Sequence, residues 1–222
     1  MSAYLFALIF GYLFGSFPSG FVVGRCHGVN LLKEGSGNIG ATNAVRVLGK
    51  KWGVVVLLLD ALKGGLAVVF GFQVAKYFGA SEQHVINAGV LAAIFAVIGH
   101  NFPVWLNFKG GKGIAVSAGI MIALFPPLVF ISGLAVWLAL FFGTRYVSIA
   151  SLGSAVALPT AAFALYFFGH GEGFLGQCDL VRAAIAGLMG VLAIWRHKPN
   201  IERLLAGTEK RFDRKTKKPT HV

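Results

Sequence analysis

The sequence predicts an all-α integral membrane protein of seven transmembrane helices, N-terminus outside and C-terminus cytoplasmic, with its polar, chemistry-bearing loops on the cytoplasmic face. Three observations carry this. Of 222 residues, 56% are hydrophobic and 13% charged, with a mean hydropathy of +0.74, which is too apolar for a water-soluble domain. Apolar runs near the 20-residue length that crosses a bilayer recur along the chain. The basic residues, finally, are distributed with one-sided regularity between those runs.

The apolar segments fall at 4–24, 53–75, 86–106, 114–125, 128–144, 147–168 and 180–196. The N-terminal Met-Ser-Ala-Tyr lacks a positive flank and no small-residue cleavage site follows, so the first segment is expected to be a retained span and not a cleaved signal. The fourth is short and ends at Pro126-Pro127, so it could be a span or half of a re-entrant pair. Charge decides between them. If all seven cross, one side receives Arg25, Lys33, Arg46, Lys50 and Lys51, then Lys109 and Lys112, then Arg145, then nine more from Arg196 to Lys218. That is seventeen of the 20 lysines and arginines. The other side keeps Lys76 with Glu82, Glu172 and Asp179, and Lys63 and Arg182 fall within or near spans. Such a bias marks the cytoplasmic side. The formal net charge of +12 is therefore a topological signature and not a sign of nucleic-acid binding. Residues 1–209 read as one polytopic domain and 210–222 as a basic cytoplasmic tail attracted to anionic lipid. Cys26 and Cys178, far apart, imply neither disulfide framework nor metal site.

Polar sequence collects where this topology faces the cytoplasm. The first loop carries Gly35-Ser36-Gly37-Asn38-Ile39-Gly40-Ala41-Thr42-Asn43, with Arg46 just beyond. Its Gly, Ser and Asn residues are poor helix formers. They can instead turn backbone N–H groups around an anion, with Ser36, Thr42 and Arg46 as further donors. A plain connecting loop is the competing reading. The connection after the third segment runs from Gly99-His100-Asn101-Phe102-Pro103 to Lys109-Gly110-Gly111-Lys112-Gly113 and leads straight into an apolar helix. Glycines there let amides approach a ligand, the helix N-terminus adds positive potential, and Lys109 and Lys112 supply point charges for a phosphate. The tail places His197, Asn200, Ile201, Arg203, Leu204 and Glu209 after the seventh segment, with Pro199 ending or kinking it at the interface. The Ile201, Leu204 and Leu205 spacing fits a short amphipathic turn on the membrane surface. Ser148, at the start of the sixth segment, is a further candidate donor. Asp60 and Lys63, three apart on one helix face, read as a buried structural ion pair.

The sequence lacks a P-loop spacing, a Gly-x-Ser-x-Gly nucleophile elbow and a Rossmann fingerprint. It also lacks a His-x4-Asp dyad. Residue chemistry alone thus points to an interfacial membrane protein that handles small phosphorylated ligands.

The three stretches together resemble the motifs of the bacterial acyl-phosphate–glycerol-3-phosphate acyltransferase family (PlsY). The resemblance runs as far as Glu209 and no motif position departs from it. It implies a seven-span enzyme of the bacterial cytoplasmic (inner) membrane. Such an enzyme transfers a fatty acyl group from acyl phosphate to the 1-hydroxyl of sn-glycerol 3-phosphate, giving lysophosphatidic acid and inorganic phosphate as the first step of phospholipid synthesis. It further implies no metal, no cofactor, no acyl carrier protein and no covalent acyl-enzyme, and a monomer is expected. On this resemblance Ser36, Arg46, His197 and Asn200 are the catalytic candidates. Gly35, Gly37, Asn38, Gly40, Thr42, Asn43, His100, Lys109, Gly110, Gly111, Lys112, Gly113 and Glu209 are the candidates for substrate binding, and Ser148 joins them by its location at the start of the sixth segment. The alternative is a small permease for a phosphorylated metabolite, which would need polar residues running through the spans.

Overall fold

The computed structural model describes residues 1–169 and 178–212 of the chain. Glu172 and the part of the basic tail from Asp213 onward lie outside the described residues. Those described are helical or in short connections, and they divide by packing into two compact units, Met1–Gly119 and Ile120–Phe212.

The first unit begins with α1 (Ser2–Ser16) and α2 (Ser19–Cys26). They are two pieces of one apolar stretch, Ser2–Cys26, interrupted at Phe17-Pro18. Pro18 has no N–H to donate and pushes Phe17 out of the helical region, to ψ 117. After a polar loop come α3 (Ala41–Leu48), α4 (Lys50–Tyr77) and α5 (Glu82–Asn101), and then a 3-10 turn, Val104–Leu106. The helix α6 (Ile114–Leu124) starts in this unit and ends in the next. Small residues set the helix spacing. A Cβ at Gly11 or Gly15 would strike the backbone of Ala92 or Ala96 in α5, and one at Gly119 would strike Ala61 in α4. Without a hydrophobic driving force in lipid, such close approach is what holds helices together. Under the polar loop, Val23, Leu31, Ala44 and Val56 form a buried apolar floor joining α2, α3 and α4. Trp105 is 63% exposed, but its indole Nε1–H donates to Ser16 Oγ at 3.0 Å.

The second unit holds α7 (Pro127–Thr144), α8 (Val147–Phe168), α9 (Leu180–Arg196) and α10 (Lys198–Leu205). Ser154 Oγ donates to the Gly133 carbonyl at 2.8 Å, tying α8 to α7, and Gly190 of α9 abuts the Ala155 carbonyl. Asp179 caps α9 through the Arg182 N–H, at 2.8 Å, and its carboxylate holds the Arg182 side chain. The helix α10 departs from α9 at 53°, with Pro199 in its first turn, where a missing N–H costs nothing.

Among the described residues, five helices or helix pairs are long and apolar enough to cross a membrane: Ser2–Cys26, Lys50–Tyr77, Glu82–Leu106, Pro127–Thr144 and Val147–Phe168. The bent pair Leu180–Arg196 with Lys198–Leu205 makes a sixth. The expected fourth segment, 114–125, appears as the 11-residue α6, ended by Pro126-Pro127. The expected first loop, 25–52, is shorter than its numbers suggest, because α3 sits inside it and α4 starts at Lys50.

Candidate active site

The glycine-rich stretch after α2 divides into two parts. Gly35–Gly40 is loop, and Ala41, Thr42 and Asn43 form the first turn of α3. Gly35 and Gly37 have φ of +66° and +70°, a region costly for residues with a Cβ. The hub of the loop is Asn43, 1% exposed. Its Nδ2 is shared among the carbonyls of Leu31, Glu34 and Asn38 at 3.1, 3.0 and 2.8 Å, and its Oδ1 accepts the Ser36 N–H at 2.8 Å. One side chain therefore folds the loop back on itself, and the Ser36 and Arg46 residues are left exposed. Asn38 makes a smaller local turn, accepting the Gly40 N–H at 2.8 Å. The helix α3 follows the loop directly and has no side-chain cap, so the positive end of its dipole adjoins the loop.

The second stretch meets the first within the same unit. Asn38 Nδ2 reaches the Gly110 carbonyl at 3.5 Å. After the 3-10 turn, Asn107 and Phe108 take left-handed conformations, with φ of 49° and 61°. The chain then doubles back, so that the Gly111 N–H donates to the His100 carbonyl at 3.0 Å. Gly110, Gly111 and Gly113 are buried, Lys112 is half-buried and Lys109 is exposed. A Cβ at Gly111 would run into the His100 ring, and one at Gly110 into the His100 carbonyl and Pro103. The glycines are thus required by close packing on His100, and Gly113, at φ +87°, turns the chain into α6.

His100 is 4% exposed, and its Nδ1 lies 3.7 Å from Asp60 Oδ1. Asp60 in turn pairs with Lys63 at 2.9 Å, both buried in α4. The expected ion pair is present, and it is part of a larger cluster.

The second unit gathers the remaining candidates. His197, 3% exposed, sits at the junction of α9 and α10, with Nδ1 2.7 Å from the Ala193 carbonyl oxygen. A carbonyl only accepts, so Nδ1 carries the proton and neutral His197 has its lone pair on Nε2. Asn200 Nδ2 donates to Glu209 Oε1 at 2.7 Å, and Arg203 Nε donates to Oε2 at 2.6 Å. The Glu209 side chain is 5% exposed. Burial pushes its carboxyl pKa upward, but the Asn200 and Arg203 hydrogen bonds, nearby Ser148 and the Arg203 charge outweigh this and hold it below the usual value. Ser148 Oγ, buried, faces this carboxylate without closing a hydrogen bond of full geometry. Arg203, part of the third stretch in the sequence but not among the site candidates, joins this cluster through Glu209.

The chain matches a family model described as glycerol-3-phosphate acyltransferase over residues 5–207. A glycerol-3-phosphate acyltransferase of Rhodopseudomonas palustris (strain BisB5) is 42% identical over 213 residues, covering 96% of this chain and 97% of that one. One of Aquifex aeolicus (strain VF5) is 41% identical over 208 residues, covering 94% and 98%. Among solved structures, the glycerol 3-phosphate form of PlsY (YgiH), an integral membrane glycerol 3-phosphate acyltransferase, is similar with a TM-score of 0.80 at 38% identity, over 96% of each chain. The lysophosphatidic acid form gives a TM-score of 0.78.

Proposed function

The chain belongs to the glycerol-3-phosphate acyltransferase family, and from that premise we propose that it transfers a fatty acyl group from acyl phosphate to the 1-hydroxyl of sn-glycerol 3-phosphate. The products are lysophosphatidic acid and inorganic phosphate. The observation that carries this is the likeness, over 96% of each chain, to a solved acyltransferase in glycerol 3-phosphate and lysophosphatidic acid forms.

The chemistry suits a protein with no strong nucleophile in its motifs. Acyl phosphate is a mixed anhydride, already activated. The glycerol 3-phosphate hydroxyl oxygen attacks the acyl carbon, the bond from that carbon to the phosphate oxygen breaks, and the departing phosphate takes the hydroxyl proton. No covalent acyl-enzyme forms. What the protein must supply is alignment and compensation of charge between two phosphates.

In this reading the Gly35–Gly40 loop, Thr42 and Arg46 hold phosphate, and Ser36 orients the reacting groups. Asn43 serves by building the loop that carries them, and Asn38 by joining it to Gly110. Gly110, Gly111 and Gly113, with Lys109 and Lys112, bind glycerol 3-phosphate on the floor formed by His100. His197 and Asn200 act in the transfer, and Glu209 with Ser148 holds Asn200 in place. Residues 1–209 form the catalytic domain and 210–222 a basic cytoplasmic tail. Seven spans with the N-terminus outside, placement in the bacterial inner membrane, a monomeric state and independence from acyl carrier protein complete the proposal. The charge distribution supports the topology.

Reconstitution into sealed vesicles tests the reading against transport. With labelled glycerol 3-phosphate outside and acyl phosphate in the membrane, the proposal expects label in lysophosphatidic acid. Unmodified label accumulating in the lumen, with no lipid product, would make the protein a permease.

A further inference from the structure

The Asp60–Lys63 pair does more than neutralise two charges. Both residues lie in the apolar helix α4, 3% and 6% exposed. Burying two ions is costly, and their attraction repays this only with good geometry and further hydrogen bonds. A pair of apolar side chains would pack α4 at lower cost. What the charged pair has, and an apolar pair lacks, is a second contact from each partner.

Lys63 Nζ donates to the Phe17 carbonyl at 2.8 Å. Phe17 is where Pro18 breaks the first apolar stretch, and α2 starts two residues later. The Phe17 carbonyl also accepts the Ser19 N–H at 3.0 Å, so the ammonium holds the turn at the helix break in addition to that local bond. The next helix carries that position forward. Gly20 of α2 packs so tightly on the Ile39 carbonyl that a Cβ would collide with it, and Ile39 lies between Asn38 and Gly40 in the first loop. Asp60, the other partner, faces His100 at 3.7 Å. The His100 ring lies against Gly111, and its carbonyl accepts the Gly111 N–H. One ion pair thus touches the supports of two separate loops.

We infer that Asp60 and Lys63 are positioning residues, a single buried ion pair in α4 that sets the first loop through the Phe17-Pro18 break and the Lys109–Gly113 loop through His100. The inference rests on the proposed reading that the Lys109–Gly113 loop binds glycerol 3-phosphate. Neither side chain touches substrate in this account.

A structural ion pair and a positioning pair respond differently when both charges are removed together. In Asp60→Leu/Lys63→Met the desolvation cost disappears, so stability is expected to stay close to that of the wild type. The KM for glycerol 3-phosphate is expected to rise about 10-fold or more, since sub-ångström misplacement of a binding loop is costly. The KM for acyl phosphate is expected to rise as well, because the same pair sets the first loop, which holds phosphate in the proposed reading. A double variant with wild-type KM for both substrates would overturn the inference. If that variant does not fold, Asp60→Glu keeps the charge and the pairing with Lys63 but displaces the carboxylate from His100. A raised KM for glycerol 3-phosphate is again expected, and an unchanged one overturns the proposal. Lys112→Ala, measured alongside, separates the two levels. If it raises KM while the Asp60 variants do not, only the positioning role falls. If it too leaves KM unchanged, the binding role of the loop falls and the inference with it.

Discussion

The Ser36 backbone N–H donates to Asn43 Oδ1 at 2.8 Å. The exposed serine proposed for catalysis is therefore placed by a buried asparagine seven residues away on the first turn of α3. Removing that side chain takes the partner from the Ser36 N–H and from the Leu31 and Asn38 carbonyls, while the Glu34 carbonyl keeps the Gly37 N–H at 3.0 Å. Asn43→Ala is expected to lower turnover about 100-fold, the scale of an ångström-level misplacement. Comparing kcat and KM of Asn43→Ala with Ser36→Ala checks this. If Asn43→Ala retained full turnover, the loop would not depend on its hub.

Gly111 has no room for a side chain. In Gly111→Ala the new methyl meets the His100 ring, so either the ring or the loop must shift. The expected result is a KM for glycerol 3-phosphate raised about 10-fold or more, with a smaller change in kcat. Initial-rate measurements over both substrate concentrations decide it.

Glu209 gathers Asn200 and Arg203 in a side-chain cluster that is 5% exposed at the carboxylate. Glu209→Gln removes the charge from two hydrogen bonds and is expected to destabilise the protein by about 1.5–3 kcal/mol. The pH dependence has a definite sign. The carboxyl pKa is lower in the folded protein than in the unfolded one, so the folded state binds this proton more weakly. Its contribution is complete above the ordinary glutamate value of about 4.3 and is lost as the pH falls through the lower native value. Thermal unfolding in detergent should show that acid loss in the wild type and a reduced one in Glu209→Gln.

His197 holds its Nδ1 proton on the Ala193 carbonyl at 2.7 Å. If Nε2 then handles a proton in the reaction, His197→Ala should lower kcat and flatten the acid limb of the pH–rate profile. Full turnover with an unchanged profile would leave His197 a structural role at the α9–α10 junction.

Much of this was legible in the sequence because the causes are local. Apolar runs marked the helices, Pro199 marked the bend after α9, and glycines marked Gly35–Gly40 and Gly110–Gly113. The motif resemblance carried the reading from phosphate handling to acyl transfer. What escaped depends on partners distant in sequence. The break at Phe17-Pro18 was hidden inside an apolar run, and its carbonyl is held by Lys63, 46 residues on. Asn43 looked like one more polar ligand, but its amide is spent on loop carbonyls as far back as Leu31. The Asp60–Lys63 spacing predicted the pair, whereas its approach to His100 follows only from the packing of α4 on α5.

The central claim is acyl transfer from acyl phosphate to glycerol 3-phosphate. Its most direct test is to give the purified protein, in lipid, both substrates and to measure lysophosphatidic acid and inorganic phosphate together. The account predicts equal amounts of the two products, formed only when both substrates are present and strongly reduced in Ser36→Ala. Phosphate released without lysophosphatidic acid, or neither product formed, would contradict it.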